Sequence, residues 1–164
     1  MLTAALCFIQ SAVQAQVAIG KQSLDGSSIL DFGSEPLGII LPYVTGEADV
    51  VGAVPGTLIF DAADQKVKYR SNTAWVDMSR NSGTVDTSGQ DALTEVTTGA
   101  IIGSTTSAAP GVLVLESTTK ALLLPRVSDP MTTMLSPEPG TIVYDTNSKK
   151  ICVYNGQQWA FWGE

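Results

Sequence analysis

Asp61 and Asp64 in one short polar stretch, DAADQ, and Asp145 and Asn147 in a second that begins 84 residues further on, DTNSK, place side-chain oxygens close together in sequence. A hard cation such as Ca²⁺ gathers about six to eight oxygen ligands, so these are the residues that could hold one. Turn chemistry accounts for the same residues with fewer assumptions, because Asp and Asn bond their own backbone in tight turns. The second oxygen also does not recur at one position, so no metal ligand is assigned.

Glycoside hydrolysis needs only two positioned acids, and Glu35, Glu47, Asp49, Glu116 and Glu138 are available carboxylates, but their spacing selects no pair. The chain has no histidine, which removes the commonest general base, the commonest transition-metal ligand and the usual switch near neutral pH. GSTTS at residues 103–107 lacks the lysine of a phosphate-binding loop. No catalytic residue emerges, and the expectation is a non-enzymatic protein without a cofactor. Carbohydrate recognition needs only exposed aromatic faces, and Trp75, Trp159, Trp162, Tyr69, Tyr144 and Tyr154 could supply them. Trp75 and Trp159 recur at equivalent places, as core anchors do. Trp162 has Met78 as its counterpart, which makes it the better contact candidate. Trp162, Tyr154, Asn155 and Trp159 are therefore the candidate ligand contacts.

The elements that would position these residues occur twice. A shift of 83 carries Ile19-Gly20 onto Ile102-Gly103, Ser34 onto Ser117, Leu41-Pro42 onto Leu124-Pro125 and Val44 onto Val127. One inserted residue makes the shift 84, and Pro55-Gly56-Thr57, Asp61, Lys66 and Trp75 then fall on Pro139-Gly140-Thr141, Asp145, Lys150 and Trp159. Each copy reads as short strands: ILDF or VLVLE, then an apolar run that a proline interrupts, LGIILPYV or ALLLPRV. Pro-Gly next opens a hairpin, TLIF to KVKYR or TIVY to KICVY, and a second turn leads to AWVDM or QWAFW. Asn155-Gly156 is a strong turn signal, since both residue types tolerate positive φ. The best helical candidate is a single turn in SDPMTTML, residues 128–135, with Pro130 at its start.

The expected fold is all-β: two repeated small meander or hairpin modules, residues 16–79 and 100–164, joined by a Ser/Thr/Gly-rich linker over 80–99. Residues 1–15 read as a signal peptide, apolar from Leu2 to Ile9 and closing on Val13-Gln14-Ala15. Leu6 before Cys7 argues against a lipid anchor. Once the signal is removed, Cys152 is a lone thiol in a strand. Net charge is −7 with nine scattered basic residues, which argues against nucleic acid. The N-terminal apolar stretch is too short to span a bilayer, so no membrane insertion is expected.

QVAIG, ILDF and GIILP in the first copy, with AIIG, LVLESTTKALLLPRV and PGTIVYDTNSKKICVYNGQQW in the second, resemble repeats of secreted surface proteins of Bacteroidetes. The last hairpin is similar to those of bacteriophage tail-fibre proteins. Its sharpest part is Tyr-Asn-Gly-x-x-Trp at residues 154–159, where the first copy has Arg70-Ser71-Asn72. The resemblance implies a secreted or outer-surface structural protein, a fibre or adhesin component. It also implies a homo-oligomer, as the often trimeric tail-fibre relatives are, or pairing with other surface proteins. A carbohydrate-binding module contacting a glycan is the alternative.

Overall fold

A proline inside each apolar run decides the local architecture, because it has no amide to donate and its carbonyl can still accept. The computed structural model describes residues 16–91, 93–94 and 99–163; the expected signal peptide over 1–15 lies outside them. The first module runs β1 (Val17–Ile19), β2 (Ser28–Phe32), β3 (Ile39–Ile40), β4 (Tyr43–Val44), a 3-10 turn (Glu47–Asp49), β5 (Leu58–Asp61), β6 (Lys66–Arg70) and β7 (Trp75–Asp77). A helical turn, α1 (Ser88–Asp91), lies in the connection. The second module runs β8 (Ala100–Ile102), β9 (Leu113–Leu115), β10 (Ala121–Leu122), β11 (Arg126–Val127), α2 (Pro130–Thr133), β12 (Thr141–Asp145), β13 (Lys150–Tyr154) and β14 (Trp159–Trp162). The all-β expectation holds, and the second copy repeats the first element for element, with α2 in place of the 3-10 turn.

Pro42 and Pro125 split each run into two strands, and their carbonyls accept from the amides of Phe60 at 3.0 Å and Tyr144 at 2.8 Å. The strand after each proline therefore lies parallel to the first strand of its meander, β4 on β5 and β11 on β12. Antiparallel meanders follow, β5-β6-β7 and β12-β13-β14, each with its tryptophan opening the last strand. Parallel pairs begin both modules, β1 on β2 and β8 on β9. Pro130 does start the helical turn; Asp129 before it has φ 53 and makes no side-chain cap.

The modules are interlocked. β10 of the second module is the third strand of the first module's opening sheet, parallel to β2. β3 of the first module adds antiparallel to β12 of the second. One apolar cluster accordingly draws Leu41, Phe60, Val67 and Met78 from the first module, and Ile142 and Val153 from the second. A smaller one holds Val127, Val143 and Cys152 under Trp159 and Met134.

The early part of the expected linker is also docked. The amide of Gly83 donates to Gln65 of the first module at 2.7 Å, and that of Thr84 to Asn155 of the second at 3.0 Å. A Cβ on Gly83 would run into the Asn155 carbonyl, so the close approach needs glycine. Val85 packs on the larger cluster. Among the described residues no helix is long and apolar enough to cross a membrane.

Candidate functional site

The first hairpin turn is built by Asp61, which is almost fully buried. Its Oδ1 accepts from the amides of Ala63 at 2.9 Å and Asp64 at 3.3 Å, the backbone-bonding turn expected of aspartate. Its Oδ2 accepts from the amide of Glu47 at 3.2 Å, which ties the 3-10 turn to the hairpin. Glu47, Asp61 and Asp64 bring ligand oxygens within 4.8 Å of one another. The centre of that group is filled by the protein's own cation. Nζ of Lys68 donates to Glu47 Oε2 at 2.8 Å, to Asp61 Oδ2 at 2.9 Å, and to Asp64 Oδ2. Lys68 is 3% exposed although it lies in a strand. Burial opposes its charge, but the three carboxylates outweigh it and hold its pKa well above the usual lysine value. Burial likewise opposes the Asp61 carboxylate, and Lys68 with the two turn amides overcomes this and keeps its pKa low.

The second turn repeats the aspartate without the cation. Asp145 Oδ1 accepts from the amides of Asn147 at 2.9 Å and Asp129 at 3.1 Å, and Oδ2 from that of Ser148 at 3.2 Å. These donors, together with the Ser148 hydroxyl, outweigh burial and lower its pKa. The counterpart of Lys68 is Cys152, fully buried, whose thiol is pushed up to about 11 by burial and by the nearby Asp145 charge. In a Cys7→Ser chain at about pH 8, a thiol reagent should leave folded Cys152 unmodified and label it fully after unfolding in guanidinium. Rapid labelling of the folded chain would show an open site at this position.

The four aromatic-end candidates do not converge. Tyr154 and Trp159 face each other across β13 and β14, ring centroids 5.2 Å apart. Trp159 also packs on the smaller cluster and is half-buried. Asn155 has no exposed surface. Its Nδ2 donates to Asn81 at 2.8 Å, and its Oδ1 accepts from the amides of Gln157 at 3.0 Å and Gln158 at 2.9 Å. Trp162 projects from the opposite face of β14 to Trp159, as an odd strand separation requires. Its indole donates to Met78 of the first module at 2.5 Å and stands edge-on to Tyr69 at 6.5 Å. It keeps 38% of its surface, and neighbouring Phe161 keeps 42%.

Three of the five carboxylates that could serve acid–base work are separately engaged. Glu47 holds Lys68, Asp49 accepts from the Thr45 hydroxyl at 2.5 Å, and Glu116 accepts from the Ser107 hydroxyl in a shallow hydroxyl-lined cleft beside Gly103. Two features escaped sequence reasoning, the carboxylate-caged lysine and the exchange of strands between modules. Asp61 and Lys68 seven residues apart across a tight hairpin were the only signal of the first.

Residues 101–163, the second module nearly end to end, match a family described as the phage tail like trimerisation region. No curated protein and no solved structure gives a match. That module is thus similar to a part by which tail-like proteins associate, in keeping with a structural, fibre-like chain.

Proposed function

We propose that this chain is a non-enzymatic structural subunit of a secreted or outer-surface assembly, fibre-like or adhesive, and that it works as a homo-oligomer of β-modules. The match of residues 101–163 to a trimerisation region carries the reading. The physical setting supports it, since modules of short strands bury little surface alone and gain a core by packing together. A native mass spectrum of the protein from a secreting host is expected to show three chains, each beginning at Gln16. A strictly monomeric protein would overturn the oligomer, and one retaining Met1 would overturn export.

Glycan binding is the second reading, favoured by the exposed surfaces of Phe161 and Trp162 at the end of β14. Titration with a polysaccharide panel should then shift tryptophan emission. Emission that stays constant across the panel removes this reading and leaves the structural one.

A further inference from the structure

Two strand edges closed within the chain have open counterparts one repeat away. β2 carries β10 on its outer edge, with Ala121 donating to Ser27 at 3.1 Å and Leu123 to Leu30 at 3.0 Å. β9, the counterpart of β2, pairs with β8 alone among the described residues. The exposure follows the pairing: Ile29 and Leu30 are each 2% exposed, while their counterparts Val112 and Leu113 are 61% and 45% exposed. β12 likewise carries β3 at Thr141 and Ile142, both nearly buried. Its counterpart β5 is covered by β4 only at Phe60 and Asp61, leaving Thr57 and Leu58 half-buried and Gly56 exposed where Gly140 is buried.

The strands that close these edges are counterparts of each other, since Ile39-Ile40 corresponds to Leu122-Leu123. Leu41 donates to Gly140, the residue before β12, at 3.1 Å. The alternation of an antiparallel ladder then turns the amides of Gly38 and Ile40 to the other edge of β3. Those amides correspond to Ala121 and Leu123, the two that bond β2. One segment thus has an edge suited to a β2-like strand and an edge suited to a β12-like strand, and each module uses only one of them. Leu37 and Ile40 beside the unused edge are 68% and 54% exposed. Glycine spacing agrees. A Cβ on Gly103 would run into the Glu116 carbonyl of its own module and also into Ile29 of the first, whereas Gly20, its counterpart, has only Gly33 of its own module nearby. That leaves room for the counterpart of Ile29, Val112, to approach from outside.

We infer that a second copy of this chain docks its first module onto the second module of the first copy, repeating between chains the junction already present within one. Ile39-Ile40 of the incoming copy lies parallel on the outer edge of β9, and Leu122-Leu123 of the receiving copy lies antiparallel on Thr57-Leu58 of the incoming one. The contact is head to tail, so each chain has one donor end and one acceptor end, and the assembly closes as a ring or extends. Three chains in a ring would join six modules through six like junctions. This deepens the homo-oligomer reading and rests on it.

Leu30 pairs with Leu122 within the chain, so the inferred partners between chains are Leu113 and Ile39. Full-length Leu113→Cys and Ile39→Cys chains, each also carrying Cys7→Ser and distinguishable tags, are mixed, refolded together and oxidised. The expected adduct is the mixed disulfide, with homodisulfides of either chain absent. Leu122→Cys with Leu58→Cys tests the other half of the junction independently and leaves Ile39 in place; Leu58 and Ile39 both pack on the rim of the larger cluster, and native mass of each variant checks that it still assembles. A Leu113→Cys homodisulfide would reveal a two-fold edge-to-edge contact and overturn the junction. No mixed disulfide from either pair in a protein that native mass shows to be oligomeric also overturns it, leaving the homo-oligomer standing. A monomer by mass overturns both.

Discussion

Lys68→Met is expected to destabilise the protein by about 3 kcal/mol at neutral pH, the lower end of the range for breaking a buried ion pair. The lower end applies because Glu47 and Asp64 are about half exposed, at 46% and 52%, and water can relax around them. Asp61 is not so placed, being almost fully buried beside the ammonium at 2.9 Å. The pH dependence should distinguish this from a packing loss. In the native protein Asp61 has a depressed pKa, so its stabilising contribution is present above the unfolded value of about 3.9 and is lost as pH falls through the lower folded value. Without the ammonium, burial and two neighbouring carboxylates favour the protonated acid. The variant should therefore gain stability relative to the parent as pH is lowered from neutrality toward the carboxylate range. Lys68 itself, with a raised pKa, stays charged throughout that window.

The second module shows how the position can be filled without a cation. There Cys152 replaces Lys68, Pro130 replaces Glu47 and Ser148 replaces Asp64, and Asp145 keeps a low pKa on neighbouring hydrogen bonds. Adding Glu47→Gln and Asp64→Ser to Lys68→Met should then recover part of the loss, because it removes the like charges beside Asp61 while its buried carboxylate still lacks the ammonium. Chemical denaturation of the single and triple variants between neutral and acid pH checks both claims. A loss that is unchanged by pH and by the added substitutions would assign Lys68 a packing role alone.

The meanders were legible because every local signal agrees: Pro-Gly at the start, an aspartate turn, alternating apolar residues and a tryptophan opening the last strand. The exchange of β3 and β10 was not. Each of these strands is two residues long, and its partner lies in the other module, far along the chain. Alternation says which face a strand buries and is silent on which edge receives a neighbour. Lys68 is inconspicuous in the sequence for a related reason, since a lysine in a strand ordinarily marks the solvent face and only the fold brings Glu47 to it. Asn155 marks a turn in the sequence, and the turn is real. Its side chain is consumed in holding Asn81 and the next two amides, so the residue type that forms the turn also closes it to a ligand. The composition of residues 80–99 suggested a free connection, yet Gly83 and Val85 make its early part a strap across both modules.

Phe60→Ala is expected to cost about 3–5 kcal/mol, the range for deleting a fully buried ring, and to act on both modules at once. Phe60 has no exposed surface. Its ring stands edge-on to Tyr43, centroids 5.5 Å apart, and its Cβ lies 3.3 Å from where a Cβ on Gly140 of the other module would sit. The cavity would therefore open in the wall that Leu41 and Val67 share with Ile142 and Val153, where neither module can collapse without moving the other. Guanidinium unfolding followed through tryptophan emission should show one transition, shifted to lower denaturant with its slope unchanged. Repeating the titration with Trp75→Phe leaves only the second module's tryptophans as reporters, and the midpoint they give should move as far as that of the whole chain. Tyr144, the counterpart of Phe60, is only half-buried, and its replacement by alanine should cost less. If Phe60→Ala splits the transition, with Trp159 and Trp162 reporting the original midpoint, the two modules have separate cores and the interlocked pairing contributes little to holding them together.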